Sequence, residues 1–212
     1  ENFFNLSKKN KDFDFHIKSL EEKNIFYITI VTNDRPKLFL DIISIFVLEN
    51  ISVLEARIFT LDDNSVIVTF KISLPGYEFL QEEEIKAKIN NLKKKLKLIK
   101  NGIGIKTLNK NKPEIFPHNK TEIYIDNKTS ATYSVLVVIA NNRPRLLYDI
   151  SKVLIKNELV ISMAKISTYG DFVEDSFHLR NKFGFKIRDG EMTENLIEEI
   201  KNSLNKISEN VF

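Results

Sequence analysis

The sequence predicts an α+β fold built from two copies of one β-α-β-β-α module, and three observations lead there. A ten-residue stretch, Asn33-Asp34-Arg35-Pro36-Lys37-Leu38-Phe39-Leu40-Asp41-Ile42, returns 108 residues later as Asn141-Asn142-Arg143-Pro144-Arg145-Leu146-Leu147-Tyr148-Asp149-Ile150, with six of ten positions identical. The hydrophobic period switches between two residues and a helical turn in the same order around both copies. The length of 212 residues suits two domains of about 100 each, and a period this long marks a repeated structural unit rather than a short motif.

In chain order, Phe13, Phe15 and Ile17 alternate with Asp14, His16 and Lys18, so 13–19 reads as a half-buried strand. Phe26 to Thr32 is β-branched and aromatic and forms a buried strand that ends at Asn33-Asp34. A helix follows, with Asp34 as its cap, Pro36 in its first turn and Leu38, Ile42, Ile45 and Phe46 on one face up to Asn50. Ile51–Leu61 and Ser65–Leu74 make a hairpin around Asp62-Asp63-Asn64, and Phe39, Phe59 and Phe70 are core candidates. A lysine-rich amphipathic helix over 81–100 carries Ile85, Ile89, Leu92, Leu96 and Ile99 on one face, behind three glutamates that suit its N-terminus.

Residues 101–119 hold two glycines and two prolines without periodicity and read as linker. Thr121–Asp126 alternates as one more strand, in place to close the first module. The second module repeats the order: strand 133–140, helix 144–158, hairpin strands 159–169 and 172–180, and helix 192–207. These spans divide the chain into an N-terminal segment with a strand (1–24), a first module (25–100), a linker with a strand (101–127) and a second module (128–212). No closing strand follows the last helix, so the segment 13–19 is the expected donor to the second sheet, with the two modules packed as one unit.

Charge and composition exclude several classes of function. The 32 basic and 29 acidic residues leave +3, no whole-molecule reason to bind nucleic acid or an anionic membrane. Cysteine is absent, which removes disulfides, thiolate metal sites and cysteine nucleophiles and agrees with a reducing, cytoplasmic location. No apolar stretch approaches a membrane span and no leader precedes the first strand, so a soluble chain is expected; it begins with Glu1 rather than Met, as a piece of a longer protein would. The Asp12-Phe13-Asp14 pair lacks a preceding Gly-Ser turn, His16, His118 and His178 are not followed by Asp, and no glycine-rich phosphate loop occurs. Neither a catalytic constellation nor a metal or cofactor site is expected in this chain.

The turn Asp34-Arg35-Pro36-x-Leu38-Phe39 with Ala56-Arg57-Ile58-x-Thr60, and the turn Arg143-Pro144-x-Leu146-Leu147-Tyr148-Asp149-Ile150 with Ala164-Lys165-Ile166-Ser167-Thr168-Tyr169-Gly170, resemble the ACT domain. With Pro117 and Thr121-Glu122-Ile123 between them, the pair is similar to the C-terminal tandem ACT region of the bifunctional [protein-PII] uridylyltransferase/uridylyl-removing enzyme family. The resemblance implies ferredoxin-like βαββαβ modules, antiparallel sheets with helices on one face, and a regulatory, allosteric role in nitrogen regulation. It implies glutamine or another amino acid as ligand at the modules, and the PII signalling protein as partner of the parent enzyme. It places the nucleotidyltransferase and hydrolase catalysis, with its magnesium, upstream of these residues, and it allows ACT–ACT association.

The candidate ligand site is the pair of turns at the helix starts: Asn33, Asp34, Lys37, Leu38 and Phe39 in the first copy, and Asn142, Arg145, Leu146 and Leu147 in the second. A helix N-terminus offers unpaired N–H groups and a favourable dipole to a carboxylate, and Asp34 offers a partner to an ammonium. By itself the same turn is a good helix cap. The family turn has Gly after Pro, where this chain has Lys37 and Arg145, and Asn142 stands for the family's Asp. A long cation there could clamp a carboxylate or fill the pocket. A free-standing tandem-ACT regulator fits the same residues, and an RNA-binding ferredoxin-like protein fits the element order but not the third strand, since 65–74 and 172–180 hold no glycine.

Overall fold

The computed structural model describes residues 14–19, 25–61, 63, 65–74, 76, 79–99, 121–143 and 145–205. The chain divides into two compact units, Glu1–Thr107 and Leu108–Phe212. The expected strand at residue 13, the linker over 101–119, Pro117, Pro144 and the last residues of the final helix lie outside the described residues.

The first unit runs β1 (Asp14–Ser19), β2 (Ile25–Asn33), α1 (Leu38–Leu48), β3 (Ser52–Thr60), β4 (Ser65–Ser73) and α2 (Glu82–Ile99). Its strands lie in the order β1-β2-β4-β3, every pairing antiparallel. Strict alternation in β4 buries Val66, Val68, Phe70 and Ile72 on one face, and the helices cover that face: the Phe46 ring meets Phe70 edge-on at 4.9 Å and Phe39 stacks on it at 6.1 Å. Phe59 does not join this core. In β3 the inward residues are Ala56 and Ile58, so the period of two turns Phe59 outward and leaves it 41% exposed.

The second unit runs β5 (Glu122–Asp126), β6 (Ser134–Asn141), α3 (Leu146–Lys156), β7 (Leu159–Tyr169), β8 (Phe172–Asn181) and α4 (Glu191–Asn205). Its order, β5-β6-β8-β7, matches that of the first unit. Each unit is therefore a ferredoxin-like α+β module in which the closing edge strand comes before the first central strand instead of after the last helix.

That placement corrects two expected pairings. The strand 14–19 belongs to the first unit, where Ile17 faces Ile28 across an antiparallel pair, and is not donated to the second. The strand 122–126 does not close the first module but pairs with β6, Ile123 opposite Val138. The physical reason is loop length, because a hairpin closes with less entropy loss than a strand returning from a distant part of the chain. The β5–β6 turn has its own chemistry. The Asp126 carboxylate accepts the N–H groups of Lys128 at 2.6 Å and Thr129 at 3.0 Å and the Thr129 hydroxyl, which hold its pKa down at about 2.

Non-glycine residues with positive φ come in pairs one repeat apart: Lys37 (67°) with Arg145 (68°), and Asn50 (53°) with Glu158 (55°). The first pair precedes α1 and α3, and the second follows them. No described helix is long and apolar enough to cross a membrane.

Candidate functional site

The first turn begins where β2 runs out. Asn33 still pairs with Ser65 and is exposed, and Asp34 beyond it is half-buried. Burial raises the Asp34 carboxyl above its ordinary value of 3.8, opposed by the Arg35 backbone N–H that the carboxylate accepts. Asp34 does not cap α1. Lys37 occupies the N-cap position, with φ 67° and ψ 4° and no side-chain hydrogen bond to the helix amides. The reason is an extra turn between strand and helix, closed by the Leu38 N–H on the Arg35 carbonyl at 3.2 Å, after which the Asp41 N–H on the Lys37 carbonyl at 2.9 Å starts the helix.

This geometry explains the glycine that the resemblance leads one to expect after Pro. The position is left-handed, where glycine pays no steric cost and an L side chain costs roughly 1–2 kcal/mol. Lys37 is exposed, so its side chain reaches solvent from the position that opens α1. Leu38 and Phe39 are buried, so their side chains belong to the core, and the Leu38 N–H is already engaged by the Arg35 carbonyl.

The second turn copies the backbone and changes the side chains. Arg145 repeats the left-handed geometry at φ 68° and ψ 2°, the Leu146 N–H meets the Arg143 carbonyl at 3.2 Å, and Leu146 and Leu147 are buried. The Arg145 guanidinium lies 5.3 Å from the centre of the Tyr148 ring, and its Nε is buried with no acceptor among the described residues. Asn142 is occupied elsewhere: its N–H donates to the Asp171 carbonyl at 2.8 Å and its Nδ2 to the Gly170 carbonyl at 3.2 Å, which ties the turn to the β7–β8 hairpin. Of the two turns, the first alone keeps a carboxylate and an exposed ammonium together.

Two features were missed in the sequence. Arg35 Nη2 pairs with Asp41 Oδ2 at 2.7 Å and donates to the Ile99 carbonyl at 3.1 Å, joining the turn to the last residue of α2. Arg143 Nη2 repeats the pair with Asp149 Oδ2 at 2.8 Å. The signal was present, since both charges are among the six identities of the repeat. The other is Asp175, only 1% exposed, which faces Val138 on β6 as Val68 faces Ile30 on β2, with the Ser167 N–H 3.3 Å from its Oδ1. Burial pushes its pKa up to about 7, more than that one hydrogen bond lowers it. Among the described residues the histidines form no site: His16 is exposed and His178 stacks on Tyr133 at 5.7 Å, while His118 lies outside the described residues.

No family model matches the chain. Among curated proteins, it is 28% identical over 174 residues to the bifunctional uridylyltransferase/uridylyl-removing enzyme of Rhodospirillum rubrum, covering 78% of this chain and 18% of that protein. It is 30% identical over 167 residues to the protein of the same name from Azospirillum brasilense, covering 76% of this chain and 18% of that one. The aspartate kinase structure from Synechocystis aligns with 87% of this chain and 27% of its own at 15% identity, with a TM-score of 0.46. The chain spans about 18% of the length of the curated relatives it matches. Over most of its own length it is thus the counterpart of the C-terminal, tandem ACT-like region of bifunctional uridylyltransferase/uridylyl-removing enzymes.

Proposed function

We propose that this chain is the amino-acid-sensing regulatory region of an enzyme that attaches and removes uridylyl groups on the PII signalling protein, with glutamine as the sensed ligand. In this reading the chemistry and its magnesium belong to the remaining length of such an enzyme. The observation that carries the reading is the first turn. There a half-buried carboxylate, Asp34, precedes by three residues an exposed ammonium-bearing residue, Lys37, at the opening of α1, a pair of charges opposite in sign to those of an amino acid. The similarity to uridylyltransferase/uridylyl-removing enzymes supports assigning the region to an enzyme of that kind.

Titration calorimetry with glutamine, glutamate and serine tests it. Because Lys37 rather than Asp34 holds the N-cap position, Asp34→Asn removes charge without removing a cap. It should weaken glutamine roughly ten- to a hundredfold, as expected for a charged group met by a positioned hydrogen bond. Lys37→Gly weakens binding if the ammonium clamps the carboxylate and strengthens it if the side chain occludes the turn. No heat with any of the three amino acids sinks the proposal.

A further inference from the structure

In the first unit a cavity of about 170 Å³ opens between β1, β2, β4 and α2. It lies at the end of the sheet opposite the Asn33–Leu38 turn, since it is lined by Phe26 at the start of β2 and Ile72 near the end of β4. Seven residues of extended strand, roughly 23 Å, separate Phe26 from Asn33. Its floor is buried and apolar, made by Phe26, Ile51, Ile72, Leu74 and Leu92. Its rim is polar, made by Glu49, Asn50 and Lys88.

The second unit shows that this space is not a by-product of the fold. Ser134, one repeat after Phe26, accepts the Ile187 N–H on its Oγ at 2.9 Å, and Ile187 itself is buried. Leu196, one repeat after Lys88, is buried as well, whereas Lys88 is exposed. Contacts confirm that these helices are in register: Glu49 meets Asn91 in the first unit, and Asn157 meets Glu199, each one repeat on, in the second. The second unit thus presents buried apolar side chains where the first has a cavity with a cation at its mouth.

We propose that this cavity binds a small carboxylate with a branched or aromatic apolar body, its carboxylate at Lys88 and its body against Phe26, Ile72 and Leu92. Size sets the body, because an apolar cavity of about 150 Å³ accommodates a benzene ring. Charge sets the end that stays at the rim. The Glu49 carboxylate is already engaged by the Lys95 ammonium and by Asn91 Nδ2 at 3.4 Å, while Lys88 has no ion pair among the described residues. An anion therefore finds an open partner there and an ammonium does not. The site stands apart from the glutamine reading, in place and in chemistry.

Amide NMR on the 212-residue chain tests the assignment with three probes: 4-methyl-2-oxopentanoate, phenylacetate and leucine. The two carboxylates should shift the amides of Ile51, Ile72 and Leu92, and leucine at equal concentration should not. Lys88→Leu, which installs the residue of the second unit at an exposed position, should weaken both acids about tenfold or more with the circular dichroism unchanged. Lys88→Arg should bind them close to the parent. Absence of shifts with both acids, leucine shifting these amides as strongly as its oxo acid, or full affinity in Lys88→Leu each overturns the proposal.

Discussion

Asn157 donates Nδ2 to Glu199 Oε2 at 2.7 Å, and one repeat earlier Glu49 and Asn91 make the same contact with carboxylate and amide exchanged. Each pair ties the end of the module's first helix to the middle of its second. The contact has been kept as a hydrogen bond while the residue types traded places, so what the two modules share here is a pairing rather than a residue.

Exchange should therefore be tolerated where single replacement is not. Asn157→Glu sets two carboxylates against each other and should cost about 1 kcal/mol or more in urea unfolding. The double variant Asn157→Glu with Glu199→Asn should return to within about 0.5 kcal/mol of the parent, since the Lys156 end of the lost Lys156–Glu199 ion pair is solvent-exposed. A double variant no better than the sum of its singles would contradict the pairing.

The two arginine–aspartate pairs should differ in weight. The Arg143 and Asp149 side chains are 6% and 15% exposed, those of Arg35 and Asp41 27% and 14%. Breaking the more buried pair with Asp149→Asn should cost about 3–5 kcal/mol in denaturant unfolding. Asp41→Asn should cost clearly less, because solvent screens Arg35. Equal losses would show that burial does not decide the difference.

Left-handed positions filled by side chains other than glycine should be open to improvement. Glu158→Gly should raise stability by about 1 kcal/mol, as its ion pair with Lys182 is solvent-exposed on both sides. Lys37→Gly should do likewise, giving the binding test in that variant a fold at least as stable as the parent. Thermal midpoints below the parent in both would refute the strain argument.

Asp175 makes the second unit pH-sensitive. Its pKa rises from 3.8 to about 7 on folding, so between those values the folded chain holds a proton that the unfolded chain releases. The contribution of Asp175 to unfolding free energy should be complete below about pH 4 and fall as pH rises to about 7, by an amount on the order of 4 kcal/mol. Asp175→Val, which installs the residue type of Val68 at the equivalent place in the first sheet, should flatten this profile and stabilise the chain at neutral pH. An unchanged slope in the variant would mean that other groups set the profile.

Much of this was legible without coordinates, for reasons seen in particular residues. Strict alternation from Ser65 to Ser73 and the 3.6-residue spacing of Leu92, Leu96 and Ile99 reflect burial on one face, so strands and helices could be read directly. The turns were located because Asn, Arg, Pro and Leu recur in both copies. Phe59 was misjudged because aromatic character does not say which face of a strand a residue takes, and the neighbours Ala56 and Ile58 settle it.

By itself the sequence determined that the chain holds two modules of one kind and where the turn that opens the first helix of each lies, because repetition and periodicity are properties of chain order. Tertiary structure alone decided which strand closes which sheet, since β1 and β5 carry edge-strand patterns that would serve either module and loop entropy selects the neighbour. It also decided that Lys37, not Asp34, opens α1, that Asp175 is sealed inside a sheet, and that one module has a cavity where the other has Ile187 and Leu196. Each of these depends on which atoms come together across many residues of chain, and residue order does not encode such distances locally.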